Sequence, residues 1–210
     1  MMRQQGLVTT WRRRFIKINH SKHNMTVVEN VLNQEFNSTT ENQAWVADIP
    51  YIWTASGWLY LAAVMDLYSR KIVGYSLSNR MTVDLVCTAL QIAIHTCKPS
   101  KGLIMNTDRG SQYCSQPYQD LLDRHGILCS MSHKGLCYDN TVMKRFFLNL
   151  KMERVWQQSY ANHQEAIQDI SHYITVFYNQ IRLHSTLGYL SPNSFERKVS
   201  KLSIVVSDFT

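Results

Sequence analysis

The chain has 210 residues, 45% of them hydrophobic and 18% charged, which is enough apolar material for one substantial core and too much for an intrinsically disordered chain. Its 22 basic and 15 acidic residues leave a net charge of +7, which favours a polyanionic partner because each neutralised phosphate releases counterions. No apolar run nears the roughly 20 residues a bilayer requires and the start Met1-Met2-Arg3 lacks an apolar signal core, so a cytoplasmic protein with no membrane partner is expected.

Residues 1–24 carry Arg3, Arg12, Arg13, Arg14, Lys17 and Lys22 and no acid, and read as a basic arm that is either a solvated terminus or a phosphate contact. A polar connector follows to residue 43. From Trp45 the pattern changes to three β-rich runs, Trp45–Ile49, Trp58–Asp66 and Lys71–Leu77, separated by turn residues; they predict an antiparallel meander. Thr82 stands where a helix cap belongs, because Val83, Val86, Leu90 and Ile94 recur at helical spacing. A strand at Leu103–Met105, a helix through Tyr118, Leu121 and Leu122, and a strand at Ile127–Cys129 come next. A helix then runs from near Asp139-Asn140 to about Glu153, and a last long one covers Gln164–Arg182. The order βββαβαβαα predicts an α/β fold with a mixed five-stranded sheet flanked by helices.

The five cysteines, Cys87, Cys97, Cys114, Cys129 and Cys137, form an odd set without a C-x-x-C pair. They indicate free thiols rather than a disulfide framework or zinc ribbon, and His20 and His23 have no cysteine pair at zinc spacing.

Two aspartates stand out. Asp48 interrupts an otherwise apolar strand, and burying a lone carboxylate is costly unless a cation or hydrogen-bond donors meet it. Taken singly it reads equally well as a buried group satisfied by backbone or arginine. Asp108 ends a strand, where α/β sheets present catalytic groups, although an Asp one residue before the Arg109-Gly110 step is also an ordinary turn former. Together the pair can share hard cations, and two such ions about 4 Å apart drive in-line phosphoryl displacement. Asp66 has a similar setting but adjoins Tyr68-Ser69-Arg70, so a structural cap or ion pair is the better account of it.

The blocks Trp45-Val46-Ala47-Asp48-Ile49, Gly57 to Gly74, Asp108-Arg109-Gly110-Ser111-Gln112-Tyr113, Tyr138-Asp139-Asn140, Phe146 to Lys151 and Arg182 to Pro192 resemble the integrase-core transposases of bacterial insertion sequences. The likeness spans residues 12–197. It implies a ribonuclease-H-like fold and an Asp-Asp-Glu triad holding two Mg2+ or Mn2+ ions. It also implies metal-dependent cutting and joining of DNA, and similarity to retroviral integrase catalytic cores. Within that resemblance Asp48 and Asp108 match the first two acids as catalytic and metal-binding residues. The third should follow Asp108 after 35 intervening residues, and Lys144 occupies that place. An ammonium about 5 Å from a divalent ion, at an effective dielectric near 20, is repelled by several kcal/mol.

Glu153 lies nine residues further along the helix, on its far side, and Asp139 belongs near the helix start, where capping is its expected job. Asn106 stands where the family commonly has His. Arg109, Lys134 and Lys151 are candidate DNA-phosphate contacts, each equally readable as a surface charge. The expected organisation is a basic arm and connector (1–43), an integrase catalytic core (44–160) and a C-terminal helix and tail (161–210). Expected partners are DNA, a separate helix-turn-helix chain from an upstream reading frame, and further copies of this chain on DNA. Two readings compete with an active transposase: a catalytically silent DNA-binding remnant of a decayed element, and a nuclease acting on RNA–DNA hybrids. The tail from Tyr178-Asn179 to Ser191-Pro192, which by its residues alone reads as a loop after the last helix, favours the transposase family over the latter.

Overall fold

The computed structural model describes residues 28, 30, 38–132 and 141–207. Its sheet is built on β1 (Ala44–Asp48), β2 (Tyr51–Thr54), β3 (Gly57–Asp66), β4 (Ile72–Ser78), β5 (Ile104–Thr107) and β6 (Leu128–Met131). The helices are α1 (Val83–Cys97), α2 (Gln116–Arg124), α3 (Thr141–Glu153), α4 (His163–His172) and α5 (Pro192–Ser207). None of the described helices is long and apolar enough to cross a membrane.

Alternation along the strands builds two cores. Val46, Leu61, Ala63 and Met65 face one way and pack with Met143, Phe146, Phe147 and Leu150 of α3 and with Ile170 and Ile174 further along. Trp45, Ala47, Ala62 and Val64 face the other way, against Leu85, Val86, Ala89, Leu90 and Ala93 of α1 and Leu121 and Leu122 of α2. The sheet is thus buried on both faces, an α/β/α sandwich.

The sheet has six strands where five were expected. The extra one is β2: it continues the line of β1 past Pro50, so that β1 and β2 both pair antiparallel with β3 in one register, Asp48 opposite Ala63 and Tyr51 opposite Tyr60. β4 completes the meander on the other side of β3, while β5 joins β1 in parallel and β6 joins β5 in parallel. A parallel neighbour demands a crossover, which α1 and α2 supply.

Beyond α4 the helix continues as a π-helical segment, Tyr173–Ile181, so the predicted long helix is one element with a change of winding. The tail, for which the sequence indicated only a loop, makes a short 3-10 turn at Ser185–Leu187 and then α5. Here Lys71 pairs with Glu196 at 2.6 Å and the Tyr68 and Phe195 rings lie 5.2 Å apart. Cys87, Cys97, Cys114 and Cys129 are free thiols, whereas Cys137 lies outside the described residues.

Candidate active site

Strand register brings the two aspartates together. β1 and β5 run parallel with Val46 beside Asn106, so two residues further on Asp48 stands level with Asp108 at the same sheet end. Adjacent strands are about 4.8 Å apart, which makes the two carboxylates neighbours. Each is oriented locally: Asp48 Oδ1 accepts from the Ile49 N–H at 2.8 Å, and Asp108 Oδ1 accepts from the Gly110 N–H at 2.9 Å. Gly110 lies so close that a Cβ there would meet Asp108 Oδ1 at 2.9 Å.

Both carboxyls resist ionisation. Burial, then the facing Asp108 charge, pushes Asp48 up to about 7, against the opposing pull of the Ile49 N–H, Lys144 and Lys151. Asp108 is raised chiefly by burial, with the Gly110 N–H and Lys144 pulling it back. Tyr113, wholly enclosed between the site and α2, is pushed far above the usual phenol range, first by burial. The pair is an acidic recess with a hydrophobic floor.

α3 lays two ammonium groups along this recess. Its apolar stripe of Met143, Phe146, Phe147 and Leu150 packs into the core, and Lys144 and Lys151 flank that stripe seven residues apart, two turns on one face. Lys144 is exposed at the rim rather than sunk in the pocket, and its charge still acts on both Asp48 and Asp108. Lys151 is half-buried; desolvation lowers its pKa while Asp48 raises it, and its Nζ lies 4.9 Å from the Tyr51 ring centre. Among the described residues no group of three His, Cys, Asp or Glu side chains gathers as a metal cluster would.

The other sequence candidates disperse. Arg109 Nε donates to the Ser132 carbonyl at 2.9 Å, tying the loop after β5 to the end of β6. Lys134 and Asp139 lie outside the described residues. Asn106 is fully buried, donating to Ser132 Oγ and accepting from Ser130 Oγ, a bridge between β5 and β6. Glu153 points away from the recess: Arg182 donates to it through Nε at 2.9 Å and Nη2 at 2.6 Å, and the Tyr173 hydroxyl donates at 2.6 Å. Asp66 is the structural cap its turn suggests, accepting from the N–H groups of Asn42, Tyr68 and Ser69.

Two models of the integrase core domain match the chain, one over residues 38–137 and the other over residues 144–199. Transposase InsF for insertion sequence IS3A of Escherichia coli K12 is 44% identical over 197 residues, covering 94% of this chain and 68% of that protein. The chain belongs to the integrase core family. A 31 kDa protein of insertion element IS600 from Shigella sonnei is likewise 44% identical, over 91% of this chain and 71% of its own length. The fold of this integrase core also matches the HTLV-2 integrase catalytic core domain in complex with magnesium, with a TM-score of 0.58, 17% identity, and 76% of this chain and 99% of that one covered. A chain of the simian T-cell lymphotropic virus intasome matches with a TM-score of 0.64 and 18% identity, over 84% of this chain; this chain spans 60% of that one.

Sequence reasoning named Lys151 as a candidate phosphate contact equally readable as a surface charge, and this integrase core holds it half-buried where it feels the Asp48 charge. The spacing from Lys144 held the clue, since residues seven apart share a helix face. Tyr113 and Tyr51 were missed as site neighbours because nothing local marks an aromatic that closes a recess from another element.

Proposed function

We propose that the chain is the catalytic core of an insertion-sequence transposase that binds DNA across the Asp48–Asp108 recess, and that its phosphodiester cleavage and strand transfer are impaired by Lys144. Residues 44–160 would form the catalytic core, 1–43 a DNA-contacting arm and 161–210 an extension. Asp48 and Asp108 are the groups assigned to hold a divalent cation of the magnesium class, which when bound polarises the scissile phosphate. The described residues do not fit a pair of such cations. They supply two carboxyls that already resist ionisation, and an ammonium stands at the helix position where a third acid would complete the set.

What this chain's own groups do is clearer. Lys144 and Lys151 present positive charge at the rim where a phosphate backbone would pass, and Arg109 fixes the loop beneath it. Such contacts hold DNA without reading its sequence. End recognition is therefore assigned to a separate helix-turn-helix chain, and assembly on DNA to several copies of this one.

The carrying observation is that Lys144 acts electrostatically on both aspartates at once. It equally favours a second reading, a DNA-binding remnant with no residual chemistry. A strand-transfer assay with Mn2+ and the element's ends decides. Lys144→Glu should recover transfer by at least about a hundredfold, the scale of one charged group at a phosphoryl-transfer site. Weak native activity that rises with Glu supports impairment, and none in the native chain supports the remnant. Equal robust transfer by both proteins overturns the role given to Lys144.

A further inference from the structure

The β2–β3 hairpin projects beyond β1 and carries exposed aromatic rings. Trp53 stands opposite Trp58 across the hairpin, their rings edge to face with centroids 4.7 Å apart, and Tyr51 meets Trp58 at 5.1 Å. Trp53 remains 59% exposed and Trp58 37%. Lys151 links the row to the acidic pair, since it feels the Asp48 charge and its Nζ lies 4.9 Å from the Tyr51 ring centre. From there the rings run outward along β2. No described strand pairs with the outer edge of β2, because β5 pairs with β1 only over Ala44–Val46.

The platform is braced. The Ala55 N–H donates to the Tyr160 carbonyl at 2.9 Å, and Thr54 Oγ1 donates to the Gly57 carbonyl at 2.9 Å across the turn. Facing Trp residues stabilise a hairpin by packing on each other. That accounts for their mutual contact but not for a Trp left more than half in water at the end of a row starting from a lysine. A cation beside a line of partly exposed rings matches a strand of nucleic acid, whose bases offer π faces and whose backbone offers negative charge. Base faces are hidden in a duplex and available only where the strand is unpaired.

We propose that Trp53 and Trp58, with Tyr51 and Lys151 behind them, form a stacking platform for unpaired bases of a DNA strand that passes the Asp48–Asp108 recess. The inference rests on the DNA-binding reading above and adds what part of the DNA the hairpin holds.

The test measures affinity of the full chain at low salt, by fluorescence anisotropy, for a blunt duplex and for the same duplex with a single-stranded overhang. Native protein should prefer the overhang. Trp53→Ala should lose about five- to a hundredfold on the overhang probe, the worth of one stacked base, and nothing on the blunt duplex. Trp53→Phe, which keeps a ring, should retain most of the preference, separating stacking from general damage to the hairpin. Equal native affinity for the two probes overturns the proposal. So does an alanine variant that binds the overhang as well as native protein, which would leave the patch to a protein partner, and so does equal loss on both probes. If neither probe binds the native chain at all, the DNA-binding reading itself fails.

Discussion

Asp48 and Asp108 are held together by strand register rather than by attraction, and their charges are disfavoured at neutral pH except as backbone N–H groups and nearby positive charge relieve them. Lys144 and Lys151 supply part of that relief from the helix face. Removing one carboxylate charge should therefore stabilise the fold. Asp48→Asn is expected to raise stability by about 1 kcal/mol, which for a chain of this size is a melting-temperature gain of about 2–4 °C. Differential scanning calorimetry at mildly alkaline pH measures it, and a lower melting temperature would show that the pair is not under electrostatic load. The aspartates themselves were legible because a lone acid in an apolar strand and another at a strand end are visible one residue at a time. Lys144 was legible only through the family resemblance. The burial of Lys151 against Tyr51 was not, since it arises where α3 crosses the strand line of β1 and β2.

Gly74 shows how elements, rather than single groups, fix the distance between layers. Where β4 passes under α1, a Cβ on Gly74 would lie 2.3 Å from the Ala89 carbonyl oxygen and 2.7 Å from the Ala93 N. Both are main-chain atoms of a helix, which cannot rotate aside. Gly74→Ala should cost at least about 1–3 kcal/mol by overpacking. A lowered urea midpoint with an unchanged slope would record it, and an unshifted midpoint would mean that α1 can lift off the sheet freely. Periodicity showed the strands of the meander and the helices α1, α2 and α3, because each buries one stripe. It did not show β2, whose Tyr51, Ile52, Trp53 and Thr54 favour a strand but form too short a run after Pro50 to stand apart from β1 until β3 is there to pair with them. The π-helical winding of Tyr173–Ile181 was equally hidden, since nine residues hold too few apolar positions to tell a wider turn from the 3.6-residue one.

Taken whole, the chain is cationic, yet it sets two acids side by side at one end of its sheet. The net charge of +7 predicts DNA binding that weakens at least about tenfold between roughly 50 and 200 mM salt, as counterion release requires. Filter-binding titrations across that range test it, and an affinity indifferent to salt would remove the polyanion argument. The two-faced sheet was foreseeable from the element order alone. The way the π-helical segment locks onto the sheet was not, because it depends on one amide more than a hundred residues further along the chain.

That amide belongs to Asn179. Its Nδ2 donates to the Ile72 carbonyl and its Oδ1 accepts from the Ile72 N–H, both at 3.0 Å, across a separation of 107 residues. The side chain thus imitates a neighbouring strand at the first residue of β4. During synthesis Ile72 leaves the ribosome long before Asn179 does, so the nascent sheet waits with one rung open until that amide arrives.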